Sequence, residues 1–199
     1  MIIVDVETTG LDPDKHSIVS IGAIDLFIPQ KQFYGECRIW DDAEITQQAL
    51  DINGFSKEEI TSPIKKPLED IVTSFLNWSI GIGNRTLAGE NPSFDRDFLI
   101  SSLKRYNHKW PLGHRTIDLH TACYIHHLRK GKPIPIKNNK TNINTNSILN
   151  YVGLPDEPDP HNALTGAKME AEAFSRLIYG KNLLKGFKDY PIPPYLRKN

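Results

Sequence analysis

Asp5 and Glu7 stand two residues apart at the end of an apolar, β-branched run, Met1-Ile2-Ile3-Val4. That run reads as a buried strand. Side chains alternate between the faces of a strand, so Asp5 and Glu7 project together while Val6 turns back into the core. Two carboxylates on one face repel each other and resist ionisation unless a cation lies between them. Oxygen ligands of this kind suit a hard divalent ion such as Mg²⁺ or Mn²⁺. Taken alone, an Asp-x-Glu pair is usually two surface acids. Here it closes an apolar strand and runs directly into the turn Thr8-Thr9-Gly10.

Two further sites carry chemistry. In Asn91-Pro92-Ser93-Phe94-Asp95-Arg96-Asp97-Phe98-Leu99, the spacing of Phe94, Phe98 and Leu99 fixes the buried face of a helix. Asp95 sits at the edge of that face, able to look into a cleft, and Asp97 points elsewhere. Read singly, Asp95 is also an ordinary acid at a helix start, favoured by the macrodipole. His161 follows the Pro-rich run 155–160 and precedes a helix, so it is held rather than free to swing. A histidine beside a metal site can take a proton from water; read alone it is a capping or exposed residue.

The elements that must position these groups follow in order. Strands are expected over 2–6, 17–27 and 32–40, joined by short connections into an antiparallel meander. A short helix is expected over 45–51, broken by Asn53-Gly54. Ser56 with Glu59 three residues on marks a second helix start. A helical stripe covers 67–80. A short strand at 86–89 precedes the helix that begins at Pro92. A fifth strand over 115–119 leads into a helix to about Leu128. The segment 130–144 has no periodicity and reads as a loop. Helices follow over 145–152, stopped by Gly153, and over 162–179, ended by Gly180. This pattern predicts an α/β domain: a mixed five-stranded sheet, antiparallel meander plus parallel strands, flanked by helices. One domain is expected over 1–180, with an extended tail over 181–199 lying along it.

The 199 residues suffice for one domain with a substantial core. Lysine plus arginine number 24 and so do aspartate plus glutamate, so any nucleic-acid contact must come from a local patch. Arg129, Lys130, Lys132, Lys137 and Lys140 form one such cluster, which is either a phosphate grip or a solvated loop. Trp40, Trp78 and Trp110 are scattered, which favours core or rim positions over a base-stacking platform. No apolar run is long enough for a membrane span. An N-terminus that starts directly with a strand argues against a signal peptide, and the distant Cys37 and Cys123 read as reduced thiols. A cytoplasmic location is therefore expected.

Together, Asp5-Val6-Glu7-Thr8-Thr9-Gly10, Asn91-x-x-Phe94-Asp95-x-x-Phe98-Leu99 and His161-Asn162-Ala163-Leu164 resemble, in order, the three motifs of the DEDDh 3′–5′ exonucleases. These are the DnaQ-like, proofreading-type enzymes of the ribonuclease H-like fold, and the likeness runs from residue 2 to about 180. Residues 49–56, followed by Lys57-Glu58-Glu59, resemble the family's substrate-side segment. The resemblance implies two Mg²⁺ or Mn²⁺ ions clamping a scissile phosphate. Asp5 would bridge both ions, Glu7 would share the first, Asp95 would hold the second, and His161 would be the general base. Thr8, Thr9 and Leu11 would meet the terminal nucleotide, with Asn91 also on the substrate side. The implied substrates are single-stranded or frayed 3′ ends of DNA or RNA, the implied products are nucleoside 5′-monophosphates, and a separate polymerase is an implied partner.

One position departs from the pattern. The family's fourth carboxylate lies five residues after the histidine, where this chain has Gly166. Glu170, one turn further along the same helix face, could lean back over the vacated space and act as the missing metal ligand. Glu172 is turned away. Alternatively the chain is a catalytically silent, nuclease-like nucleic-acid-binding module, or carries an inactivating change. Glu90 adds a further acid where the family often has histidine.

Overall fold

The molecule, described over residues 1–197 as a computed structural model, is built on five strands. These are β1 (Ile2–Thr8), β2 (Ile18–Asp25), β3 (Gln32–Glu36), β4 (Leu87–Gly89) and β5 (Thr116–Asp118). They lie in the order β3-β2-β1-β4-β5. β1 to β3 form the antiparallel meander, and β4 and β5 run parallel to β1. This is the mixed sheet expected from the sequence. Seven helices surround it: α1 (Gln47–Asn53), α2 (Lys57–Thr61), α3 (Leu68–Ile80), α4 (Pro92–Arg105), α5 (Leu119–Arg129), α6 (Thr145–Tyr151) and α7 (Ala163–Tyr179). None of them is long and apolar enough to cross a membrane.

Strand alternation divides the core. Ile2, Val4 and Val6 of β1 face a layer that includes Phe75 of α3 and Phe98 of α4. Ile3 faces the opposite layer, with Ile148 of α6 and Ala167 and Phe174 of α7. Asp5 and Glu7 continue the Ile3 face and so look towards α7. β2 is buried along its whole length, as the central position between two strands and two helix layers demands.

α7 comes unusually near the sheet. Gly22, the β2 partner of Asp5 across the ladder, lies directly under the helix start; a Cβ there would overlap the backbone of Ala163 and Leu164. Asn162 caps the helix by accepting from the Leu164 and Thr165 N–H groups. At its far end Glu172 and Arg176, both fully buried, pair at 2.8 Å. Arg176 then donates to the carbonyls of Phe187 and Tyr190, while Glu172 accepts from the N–H groups of Leu183 and Leu184.

Three sequence expectations need correcting. The loop 130–144 contains a two-stranded hairpin, β6 (Ile136–Lys137) and β7 (Lys140–Thr141). Asn138 and Asn139, both at positive φ, make its turn. Each strand is only two residues long and exposed, so no burial pattern announces it. The third strand ends at Glu36 rather than Trp40, because the N–H groups of Arg38 and Ile39 turn to the carbonyls of Lys66 and Ile60. The tail beyond Gly180 is not continuously extended: it forms 3-10 turns at Lys185–Phe187 and Pro194–Leu196, and Leu196 is buried. Lys198 and Asn199, the end of the expected tail, lie outside the described residues.

Candidate active site

A pocket opens at the C-terminal end of β1, where β1 outruns its parallel neighbour. β4 pairs with β1 only at Ile2 and Ile3, so the N–H of Val6 has no strand partner on that side. Asp95, in the first turn of α4, fills the gap by accepting that N–H at 2.9 Å. One hydrogen bond thus ties the α4 acid to the β1 acids. Asp97 is turned outward and pairs with Arg96.

Asp5, Glu7, Glu90, Asp95, Glu157 and Glu170 all line this pocket, together with His161, and no lysine or arginine does. The charge is uncompensated and the acids respond accordingly. Burial first, then Glu7, Asp95 and Glu157, raises Asp5 well above the usual carboxylate range. Glu7 is pushed to about 7 by burial and by Glu157. Asp95 is raised to about 8 by burial, against the opposing Val6 hydrogen bond. Burial and the charges of Asp5 and Asp95 lift Glu170. Glu157 is raised by burial, with His161 opposing.

The structure brings Asp5, Glu7, Asp95, Glu170 and His161 into one pocket. It places Glu170 differently from the reach-back that its spacing suggests. Glu170 Oε2 lies 2.9 Å from where a Cβ on Gly89 would be, on the β4 side. The space above Gly166 is taken instead by Asp5 and by Glu157, an acid that in the sequence is only part of a rigid loop. Glu172 does turn away, into its pair with Arg176. His161 is fixed by its own N–H, which donates to Ile52 O at 2.9 Å.

Thr8, Leu11 and Asn91 line the pocket, and Leu11 is 83% exposed at its mouth. Thr9 does not take the substrate-side place expected for it. It is fully buried and absent from the lining; its hydroxyl donates to Glu44 O and accepts from the Ser17 N–H, so it braces the turn. Asn53 is a lining residue that the sequence shows only as a helix breaker; its amide donates to Thr8 O at 3.0 Å. Phe94 and Ile52 complete an apolar lip.

Two of the acids identify what the pocket suits. Glu157 Oε1 and Glu170 Oε2 are buried acceptors with no hydrogen-bond partner. Burying a carboxylate oxygen without a donor or counter-charge costs several kcal/mol. A divalent cation with hard oxygen ligands is the group that meets this need. Among the described residues no three His, Cys, Asp or Glu side chains are grouped, as they stand, so as to hold a metal ion.

A five-stranded mixed sheet of this order flanked by helices is a fold of the ribonuclease H-like class. The RNase_T exonuclease family model matches residues 2–174. The chain belongs to that family, as a DEDDh, DnaQ-like exonuclease by kinship. It is 30% identical over 182 residues to the 3′-5′ DNA exonuclease Cap18 of Escherichia coli, covering 89% of this chain and 90% of that protein. It is 38% identical over 125 residues to the DNA polymerase III subunit epsilon of Rickettsia typhi, which spans 59% of this chain and 51% of the subunit. The nuclease domain of 3′hExo, a DEDDh family member bound to rAMP, shares the fold: the TM-score is 0.68 at 15% identity, over 92% of this chain and 94% of that one.

Proposed function

We propose that this chain is a divalent-metal-dependent 3′–5′ exonuclease, cutting single-stranded or frayed DNA or RNA and releasing nucleoside 5′-monophosphates. The observation that carries this is the pair of buried, unpartnered carboxylate oxygens in a pocket with no lysine or arginine among its described lining residues. Glu7, Asp95 and Glu157 all act on Asp5, the acid that two Mg²⁺ or Mn²⁺ ions would share. Glu7 would serve one ion, and Asp95 and Glu170 the other. Bound there, the ions would polarise the phosphate and lower the pKa of a water. His161 would take the proton of the attacking water, held in place by its backbone bond to Ile52. Thr8, Asn91 and the apolar lip of Leu11 and Phe94 would seat the terminal nucleotide, a base stacking on exposed apolar surface.

The 3′ polarity draws on Cap18 and the epsilon subunit. A polymerase partner draws on the epsilon subunit alone. Gly166 supports a second reading, a nucleic-acid-binding module without activity. Degradation of a single-stranded oligomer by the wild type and by Asp5→Asn separates the two. Loss of the shared ligand is expected to slow cleavage about a hundredfold or more, several kcal/mol of lost charge stabilisation. Equal rates would remove the proposed site. A wild type that binds the oligomer without cutting it would leave the binding module.

A further inference from the structure

The acids of the pocket divide around Asp5. Glu170, with an oxygen near Gly89, lies on the β4 side together with Asp95. Glu157 lies with Asp5 against Gly166, and its charge acts on Glu7 and Asp5. A Cβ at Gly166 would overlap Asp5 Oδ2 and stand 2.9 Å from Glu157 Oε1. The position that a side chain at 166 would enter is therefore already filled by oxygen atoms from Asp5 and Glu157.

Glu157 is unusual for a loop acid. Its neighbours Asp156 and Pro158 are exposed, yet its own side chain retains only 7% of its accessible surface. Oε1 is buried without a partner, and Oε2 faces His161 Nδ1 at 3.8 Å. The loop is tied down so that the side chain stays turned inward. The Glu157 N–H donates to Asn146 Oδ1 at 3.0 Å, and Asn150 donates to Asp156 Oδ1 at 2.7 Å, both from α6. Folding alone does not explain an inward carboxylate with a free acceptor, because an outward rotamer would be hydrated at no cost.

We propose that Glu157 joins Asp5 and Glu7 at their ion, supplying from the loop before α7 the carboxylate that the DEDDh pattern places at residue 166 on the helix. Residue 166 is then glycine because Asp5 and Glu157 occupy its side-chain space. The inference rests on the exonuclease reading and leaves Asp95 and Glu170 at the other ion. It also gives Glu157 a double position, one oxygen at the ion and the other beside the histidine.

Mn²⁺ titration of the full chain, followed by electron paramagnetic resonance and calorimetry, tests this without any nuclease assay. Glu157→Gln should weaken one ion about tenfold or more, the scale on which even outer-shell partners of a metal act. Asp70→Asn, which removes an exposed acidic charge on α3 outside the pocket, should leave the isotherm unchanged. Gly166→Ala keeps every carboxylate but pushes a methyl against Asp5 and Glu157, and should also weaken binding. Wild-type isotherms for both Glu157→Gln and Gly166→Ala, in a protein that still degrades oligomers with metal, would overturn this inference and leave the exonuclease reading standing. A wild type that neither binds Mn²⁺ nor degrades oligomers would overturn both.

Discussion

At the scale of single residues, the pocket is a place where folding and function oppose each other. Glu7, raised to about 7, and Asp95, raised to about 8, hold protons in the folded chain at pH values where the unfolded chain has released them. The folded state therefore binds more protons between the ordinary carboxylate range and pH 8. The stability these two acids contribute is expected to be greatest at acid pH and to fall as pH rises from that range through 7 and 8. In EDTA the melting temperature is expected to fall by about 5 °C or more between pH 5 and pH 8, since each tenfold tightening of a carboxyl's hold on its proton is worth about 1.4 kcal/mol. Saturating Mn²⁺ should abolish the fall. A flat metal-free profile would mean that the acids are not uncompensated. Most of these residues were legible in the sequence. Asp5 and Glu7 followed from strand alternation, and Asp95 and His161 from helix starts beside an apolar face and a Pro loop. Glu157 was not legible, because a loop has no periodicity and only Asn146 and Asn150 on α6 turn this one inward. Thr9 misled because it sits among pocket residues in sequence, while its hydroxyl is spent on Glu44 and Ser17.

Among the elements, α7 does most to set the site, and its approach to the sheet depends on what is missing beneath it. Gly22 and Gly166 let helix and strands close around Asp5. Gly22→Ala would drive a methyl into the Ala163 and Leu164 backbone, which cannot yield as a side-chain tip can. Overpacking of this kind costs about 1–3 kcal/mol. Thermal unfolding should show that loss, and Mn²⁺ affinity should fall as well, since His161 and the loop before α7 move with the helix start. Unchanged stability and affinity would show that α7 is not seated by Gly22. The helices were readable because each carries either an apolar stripe or a clear stop, such as Gly54 and Gly180 at positive φ. The β6–β7 hairpin was not readable, because its signal is a pair of asparagines in left-handed conformation and nothing in its strands is buried.

For the whole molecule, kinship and geometry agree on a nuclease. The RNase_T model covers residues 2–174, almost the span over which the motifs resemble the DEDDh enzymes. The sheet order places the acid-bearing end of β1 between α4 and α7, so three distant stretches of sequence meet in one pocket. The net charge is balanced, so under the proposed function a nucleic acid would be recognised by local features such as the apolar lip at the pocket mouth. The most direct measurement is single-nucleotide-resolution digestion of DNA and RNA oligomers labelled at the 3′ or the 5′ end, with Mg²⁺, Mn²⁺ or EDTA. A metal-dependent 3′–5′ exonuclease will release the 3′ label immediately as a nucleoside 5′-monophosphate, shorten the 5′-labelled strand stepwise, and cut nothing in EDTA. Intact oligomers in every metal, or loss beginning at the 5′ end, would contradict that assignment.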